Sequence, residues 1–298
     1  MSAHVSGPSL HESLLDLVGG TPLVRLRRLA DDAHARVYVK LEYLNPGGSV
    51  KDRAASAMVA AAEASGAIRP GGTLVEGTSG NTGVGLAQAA AVRGYRLVAV
   101  LPDIVAREKI DTLIAYGAEV VLTPANLPRE HPDHVRNLAA RIAEETPGGW
   151  LADQYDNPAN PQVHVETTGV PDRIREVGDR DSILTARALA RHEGILVGGS
   201  SGLAAAGALQ VARELGPDAL VVALLPDSGR NYLSKYHSPA WLHRFGFLDD
   251  DRPGALASAG IVGTVHTVAA NVTAGEAAAL LQSDARGAAR TAGRAARP

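Results

Sequence analysis

In "ARVYVKLEYL" (35–44), Val37, Val39 and Leu41 alternate with polar neighbours, which is the period-two spacing of a half-buried strand. A glycine-rich turn follows, and residues 52–65 then carry helical spacing up to Gly66. "TLVEG", "RLVAVLP" and "AEVVLTP" read as strands, while "NTGVGLAQAAAVRG" and "AREKIDTLIAYG" read as helices closed by Gly94 and Gly117. A helix is predicted over 133–146. Later, "ILVGG" predicts a short strand, 202–215 a helix stopped by Gly216, and "ALVVALLP" a buried strand. Strands alternating with helices predict an α/β fold with a parallel sheet covered on both faces. The tail breaks this pattern. Residues 262–282 read as one strand and one short helix, too little to bury a core. "DARGAARTAGRAARP" then has the composition of disorder.

The 298 residues suffice for one large domain or two modest ones. A net charge of −3 with interspersed signs gives no nucleic-acid or anionic-membrane footprint. The chain has no cysteine, which excludes disulfides, thiolate metal sites and a cysteine nucleophile. Its start lacks a basic region followed by an apolar run, and no run of about 18 apolar residues exists. A soluble cytoplasmic protein is the expectation.

Lysine is rare: only Lys40, Lys51, Lys109 and Lys235 stand among the 29 basic residues. Arginine stays protonated, so amine chemistry has four places to occur. Lys51 lies in "NPGGSVKDR" (45–53), where Ser49 is positioned to cap a helix with Asp52 as its reciprocal partner. A lysine in a first helical turn meets the positive end of the helix, and burial would lower its pKa further. A neutral amine is what a Schiff-base lysine needs. The bland alternative is an exposed lysine beside an ordinary cap. Lys40 falls on the polar side of a strand, Lys109 on a solvated helix face and Lys235 after a turn.

"EGTSGNTG" (76–83) joins a strand to a helix and offers an anion site, with Thr78, Ser79, Asn81 and Thr82 as added donors. The alternative is a well-capped loop. Its spacing matches neither a Walker loop nor G-x-G-x-x-G, so a carboxylate is as good a ligand as a phosphate. "VGGSSG" (197–202) repeats the strand, turn, helix order, and Ser200 or Ser201 there could be a simple cap. His164, Glu166, Asp153 and Gln154 lack helix-face ligand spacing and read as ordinary polar residues, so no metal site is expected.

Taken in order, "NPGGSVKDR", "TSGNTGVGLA", "DQYDNPANP", "HVETTG", "VGGSSG" and "LLPDSGRNYLSK" resemble cystathionine β-synthase and its sister cysteine synthase. The resemblance covers roughly residues 10 to 247. It implies a two-lobed, doubly wound pyridoxal-phosphate fold of the tryptophan-synthase β type. The core would span 1–248, with a smaller lobe over about 46–150. Lys51 matches the lysine that holds pyridoxal 5'-phosphate as a Schiff base, Asn81 the residue beside the ring hydroxyl, and Ser200 the serine facing the ring nitrogen. Thr78, Ser79, Gly80 and Thr82 match the loop holding the substrate carboxylate, and Gln154 matches its partner from the other domain. The implied reaction is β-replacement on L-serine or an O-activated serine by a thiol. The thiol is homocysteine in one branch and sulfide in the other. The family is typically dimeric, so a homodimer is the implied assembly, with amino acid and thiol as small-molecule partners.

Two departures stand out. The family's cofactor-phosphate loop, of GTGGT type, is missing. "HVETTG" runs straight into "VPDRIREVGDRDSILTARALA", where the family has on the order of two to three strand-helix units at ~30 residues per βαβ. The resemblance therefore implies an internally deleted chain with an incomplete large lobe, altered around Gly169, and weak cofactor binding. An impaired or inactive remnant is the competing expectation. A third expectation, a nucleotide-binding α/β protein, lacks its phosphate loops. Residues 249–298 resemble only the opening of a regulatory module, so regulation by an adenosine ligand is not expected.

Overall fold

The computed structural model describes residues 10–78, 80–169 and 175–248, and the backbone of 262–265. In chain order the strands are β1 (Leu23–Arg25), β2 (Arg36–Leu41), β3 (Thr73–Gly77), β4 (Arg96–Pro102), β5 (Glu119–Thr123), β6 (Gly149–Leu151), β7 (Arg175–Gly178), β8 (Leu220–Leu225) and β9 (Val262–Val265). The α-helices are α1 (Lys51–Ser65), α2 (Asn81–Arg93), α3 (Arg107–Ala115), α4 (Val135–Glu145), α5 (Ala159–Thr167), α6 (Asp179–Ala188), α7 (Gly199–Glu214) and α8 (Pro239–Arg244). Among the described residues these form two compact units. The first takes the residues up to Pro22, Leu41–Asn160 and Pro226–Asn231, and the second takes the remainder.

In the first unit four strands run parallel in the order β5-β4-β3-β6. Side-chain alternation explains why both faces are covered. Leu74, Leu97, Ala99 and Leu101 point to a core shared with Ala54, Met58 and Val59 of α1 and Leu86 and Ala90 of α2. Their neighbours Val75, Val98 and Val100 point the opposite way, onto Ala139 and Ala143 of α4. Helices α1 and α2 end at Gly66 and Gly94, both left-handed, at φ 73° and 76°. The expected helix at 133–146 is realised over Val135–Glu145, with His134 as the cap accepting from the Arg136 N–H.

The second unit holds a β1-β2-β8 sheet, with β1 antiparallel to β2, and a separate antiparallel pair of β7 and β9. The strand expected in 262–282 is thus present over Val262–Val265, and the helix expected after it lies outside the described residues. Helices α6 and α7 pack closely. "ILVGG" does not form the expected strand: only Val197 makes a bridge. The segment has four residues between the left-handed Gly194 and the start of α7, and the Val197 carbonyl is bonded to the His237 ring, 3.0 Å away. A helix, α5, occupies part of the stretch read as turns and ordinary polar loop.

Gly202 allows the α6–α7 contact, because a Cβ there would lie 2.0 Å from the Ser182 carbonyl oxygen and 2.7 Å from the Ala186 nitrogen. Both are backbone atoms that cannot swing away. Gly202→Ala is expected to destabilise the chain by roughly 1–3 kcal/mol or more, read as a lower urea midpoint at unchanged slope.

Candidate active site

The loop carrying Lys51 is anchored from below. Glu42, fully buried, accepts two 2.8 Å hydrogen bonds from the Arg53 guanidinium, one of 2.5 Å from the Thr21 hydroxyl and one of 2.8 Å from the Asn45 amide. Burial alone would raise the Glu42 carboxyl, but the bonds from Arg53, Thr21 and Asn45 outweigh it and hold it at about 2. Asn45 also donates to the Ser49 carbonyl and accepts from the Gly19 N–H. Arg53 follows Lys51 by two residues, so the ion pair fixes the first turn of α1.

The capping differs from expectation. Ser49 Oγ accepts from the Lys51 N–H at 3.1 Å, but the Asp52 carboxylate reaches back to the Gly47 N–H instead of to Ser49. The turn at Gly47–Gly48 brings that N–H nearer. Asp52 Oδ1 is buried with no hydrogen-bond partner. Burial raises the Asp52 carboxyl to about 6, with the nearby Glu42 charge adding to the rise against the Gly47 N–H. Lys51 opens α1, half-buried, with its amine pKa lowered by burial and its carbonyl lying against Gly85 of α2.

Beside this loop runs the segment from Pro226. Val50 donates its N–H to the Pro226 carbonyl at 2.8 Å, and Ser49 bridges to Asp227. The buried Asp227 accepts from the Asn81 amide at 2.9 Å. The structure thus ties Asn81 to the Lys51 loop through a residue the sequence reading passed over. Asp227 lies in the quoted "LLPDSGRNYLSK", and its acidic side chain inside that motif was the available signal.

In the 76–83 loop Thr78 is buried, and its hydroxyl oxygen accepts from the N–H groups of Gly80 and Gly83. Ser79 lies outside the described residues. Gly80 has φ 145°, and a Cβ there would sit 2.7 Å from the Lys109 amine. Lys109 is therefore not on a solvated face as expected: its side chain packs over the loop. Thr82 donates to Gln154 Oε1 at 2.5 Å. Gln154 was expected from another domain, yet it belongs to the same unit, because it directly follows β6 at the edge of the parallel sheet. Ser200 lies exposed in the first turn of α7 in the second unit. Gly198 is the cap there, and no side chain caps the helix. His164 on α5 bonds to Thr168. Among the described residues no acidic and histidine cluster could hold a metal ion, and no helix is long and apolar enough to cross a membrane.

The family described as "Pyridoxal-phosphate dependent enzyme" matches this chain over residues 14–171 and 169–227. A probable cysteine synthase of Bacillus subtilis (strain 168) is 37% identical over 298 aligned residues, covering 74% of this chain and 95% of the relative. A cystathionine beta-synthase of Dictyostelium discoideum is 33% identical over 320 residues, covering 80% of this chain and 64% of the relative. A crystal structure of O-ureido-L-serine synthase superposes with TM-score 0.69 at 34% identity, covering 82% of this chain and 98% of that one. In the Bacillus alignment 298 positions take in only 74% of a 298-residue chain, so about a quarter of them face no residue here. The two family matches meet at 169–171, which is where the sequence reading placed the internal deletion.

The family's cofactor can be tested against these residues. Lys51 is a desolvated amine with no carboxylate paired to it among the described residues, which suits an aldehyde. The Asn81 amide has a second N–H besides the one given to Asp227, which suits a polar group near such a ring. Its phosphate end is not matched, because the GTGGT-type loop has no counterpart in the sequence. The aldehyde end fits and the phosphate end does not.

The buried carboxyls set a pH dependence. Glu76 is raised to about 7, chiefly by burial, and Asp52 to about 6. Both bind a proton more tightly folded than unfolded. Their contribution to stability is whole below the ordinary values of 4.5 and 3.8 and is lost as pH rises through about 7 and about 6. The urea midpoint is expected to fall between pH 5 and 8. Glu76→Gln should remove a share of that fall on the order of 3 kcal/mol at most. Arg53→Leu, which strands Glu42, should cost about 3–5 kcal/mol.

Proposed function

Because the chain belongs to the pyridoxal-phosphate-dependent enzymes of the cysteine and cystathionine synthase kind, we propose that it performs β-replacement on L-serine or an O-activated serine. A thiol is the incoming group and cystathionine or cysteine the product, in sulfur amino-acid biosynthesis. The observation that carries this reading is the Lys51 amine: half-buried, lowered in pKa, and set in a first helical turn braced by a buried ion pair.

When bound, the cofactor supplies an electron sink for the substrate's α-carbon. Lys51 would hold it, with Asn81 beside the ring hydroxyl; Ser200 belongs to the second unit, and its match to the serine facing the ring nitrogen is carried by the resemblance alone. A serine hydroxyl does not keep a proton on that nitrogen as a carboxylate partner would, which suits elimination better than a long-lived carbanion. Thr78, Ser79, Gly80, Thr82 and Gln154 bind the substrate carboxylate. Lys51 Nζ takes the α-proton as general base. A homodimer in the cytoplasm goes with this reading, and the likeness to an O-ureido-L-serine synthase makes an oxygen nucleophile the competitor of the thiol.

The second reading, an impaired relative, is favoured by the family match breaking into two pieces at 169–171. Without a phosphate cradle, backbone N–H groups that would secure much of the cofactor's affinity are missing. The purified chain should take up pyridoxal phosphate weakly in a spectroscopic titration, and borohydride should fix the label on Lys51 alone, with none in Lys51→Ala. No label, or label spread over Lys40, Lys109 and Lys235, overturns the enzymatic reading. Tight cofactor binding overturns the impaired one.

A further inference from the structure

Behind the 78–82 loop, Thr82 and Gln154 lead to a buried carboxyl, Glu76, that the proposed reaction does not use. Glu76 on β3 is 1% exposed, and no cation among the described residues pairs with it. Its Oε1 accepts from Gln154 Nε2 at 2.9 Å, and its Oε2 takes the Gln154 backbone N–H at 3.4 Å. The other face of the amide, Oε1, accepts the Thr82 hydroxyl proton. Asp153, in a left-handed conformation at φ 45°, turns the chain so that Gln154 enters this position. All three side chains are nine-tenths buried or more, and the second N–H of the amide lies 3.5 Å from the Gly77 carbonyl oxygen, a long contact that turning the amide over gives up.

We propose that Glu76 is a positioning residue whose protonation state decides which face Gln154 turns toward the loop. An ionised Glu76 only accepts, so the amide N–H must face it and the amide carbonyl must face Thr82. Thr82 then spends its only proton on that carbonyl. In this arrangement the pair presents lone pairs, not donors, to an incoming carboxylate. A Glu76 protonated on Oε1 becomes a donor. The amide then turns over, its carbonyl on Glu76 and its NH2 on Thr82. One N–H of Gln154 and the O–H of Thr82 are left to grip an anion. Binding a carboxylate is thereby linked to taking up one proton at Glu76.

Burial holds the Glu76 proton into the neutral range, where this exchange is cheap. The surrounding charges do not supply a competing partner. From α4, Arg136 lines a small cavity shared with Glu76, but its guanidinium is bound to Asp153 and Asp156 and stacks over Tyr155. Asp153 is the nearest negative charge and favours the protonated form. Tyr155 lines the same cavity, and Ala99 of β4, paired with Glu76 in the sheet, brings no charge.

This inference rests on reading the 78–82 loop as a carboxylate site. It is tested on the full chain, labelled with 13C and 15N and supplied with pyridoxal phosphate. The Glu76 carboxyl carbon and the Gln154 side-chain NH2 signals are followed from pH 5.5 to 8.5, assigned with Glu76→Gln and Gln154→Ala. One shared midpoint near neutrality is expected, and saturating L-serine should move it upward by on the order of one pH unit. In Glu76→Gln the Gln154 signal should not respond to pH. A Glu76 that stays ionised throughout, or a Gln154 signal that ignores its titration, overturns the proposal without touching the role of Lys51. A shared titration that L-serine leaves in place overturns the carboxylate reading of the loop, and with it the link to substrate.

Discussion

Glu42 keeps its negative charge at the centre of the first unit because Arg53 closes on it with two hydrogen bonds while Thr21 and Asn45 fill its remaining lone pairs. A carboxylate and a guanidinium taken out of water each cost several kcal/mol, recovered only when geometry is good and every polar atom is bonded. That condition fixes Asn45, and through it Gly19 and Ser49. It also fixes the direction of α1, since Arg53 must lie on the side facing Glu42. Lys51, two residues earlier, is left near the opposite side of the turn. The ion pair thus sets where the amine points, although neither partner touches any reacting group.

A second buried carboxyl serves the other loop. Glu76 has no cation, so burial drives its pKa up where Arg53 drives that of Glu42 down. Both side chains are shielded from solvent, and the contrast follows chiefly from the Arg53 cation that Glu42 has and Glu76 lacks among the described residues. Between them the two acids orient the Lys51 loop and the Thr82–Gln154 pair. Asp227 joins the two loops by bridging Ser49 and accepting from Asn81.

The second unit is the one that the break in the family match divides. Its main sheet has three strands among the described residues, and on β8 Leu220 and Val222 are half exposed. Apolar strand residues of this kind normally lie beneath a neighbouring layer. The family match breaks into two pieces at 169–171, within the stretch between α5 and β7. The first unit, which holds Lys51, Asn81, Thr82 and Gln154, lies wholly before that break apart from the short segment from Pro226.

The order of strands and helices along the chain was enough to predict a parallel sheet covered on both faces, because crossover helices must pack on those faces. Gly66 and Gly94 marked helix ends because only glycine adopts φ near 75° without strain. The ordered loop motifs picked out Lys51 and the 78–82 loop, and the run from "HVETTG" into "VPDRIREVG" marked the place where the family match breaks in two. Other features were out of reach. Nothing local tells that Val197 gives its carbonyl to His237 instead of a strand, that Lys109 folds over Gly80, or that Gln154 shares a unit with Thr82. The ionisation of Glu42 and Glu76 was equally hidden. Glu42 is held down by Arg53, 11 positions on, while Glu76 is raised by its burial against the bonds from Gln154, 78 positions away. Sequence determines periodicity and motif because these are local. Charge state and partner choice depend on which distant groups share a dry interior, and only the folded chain decides that.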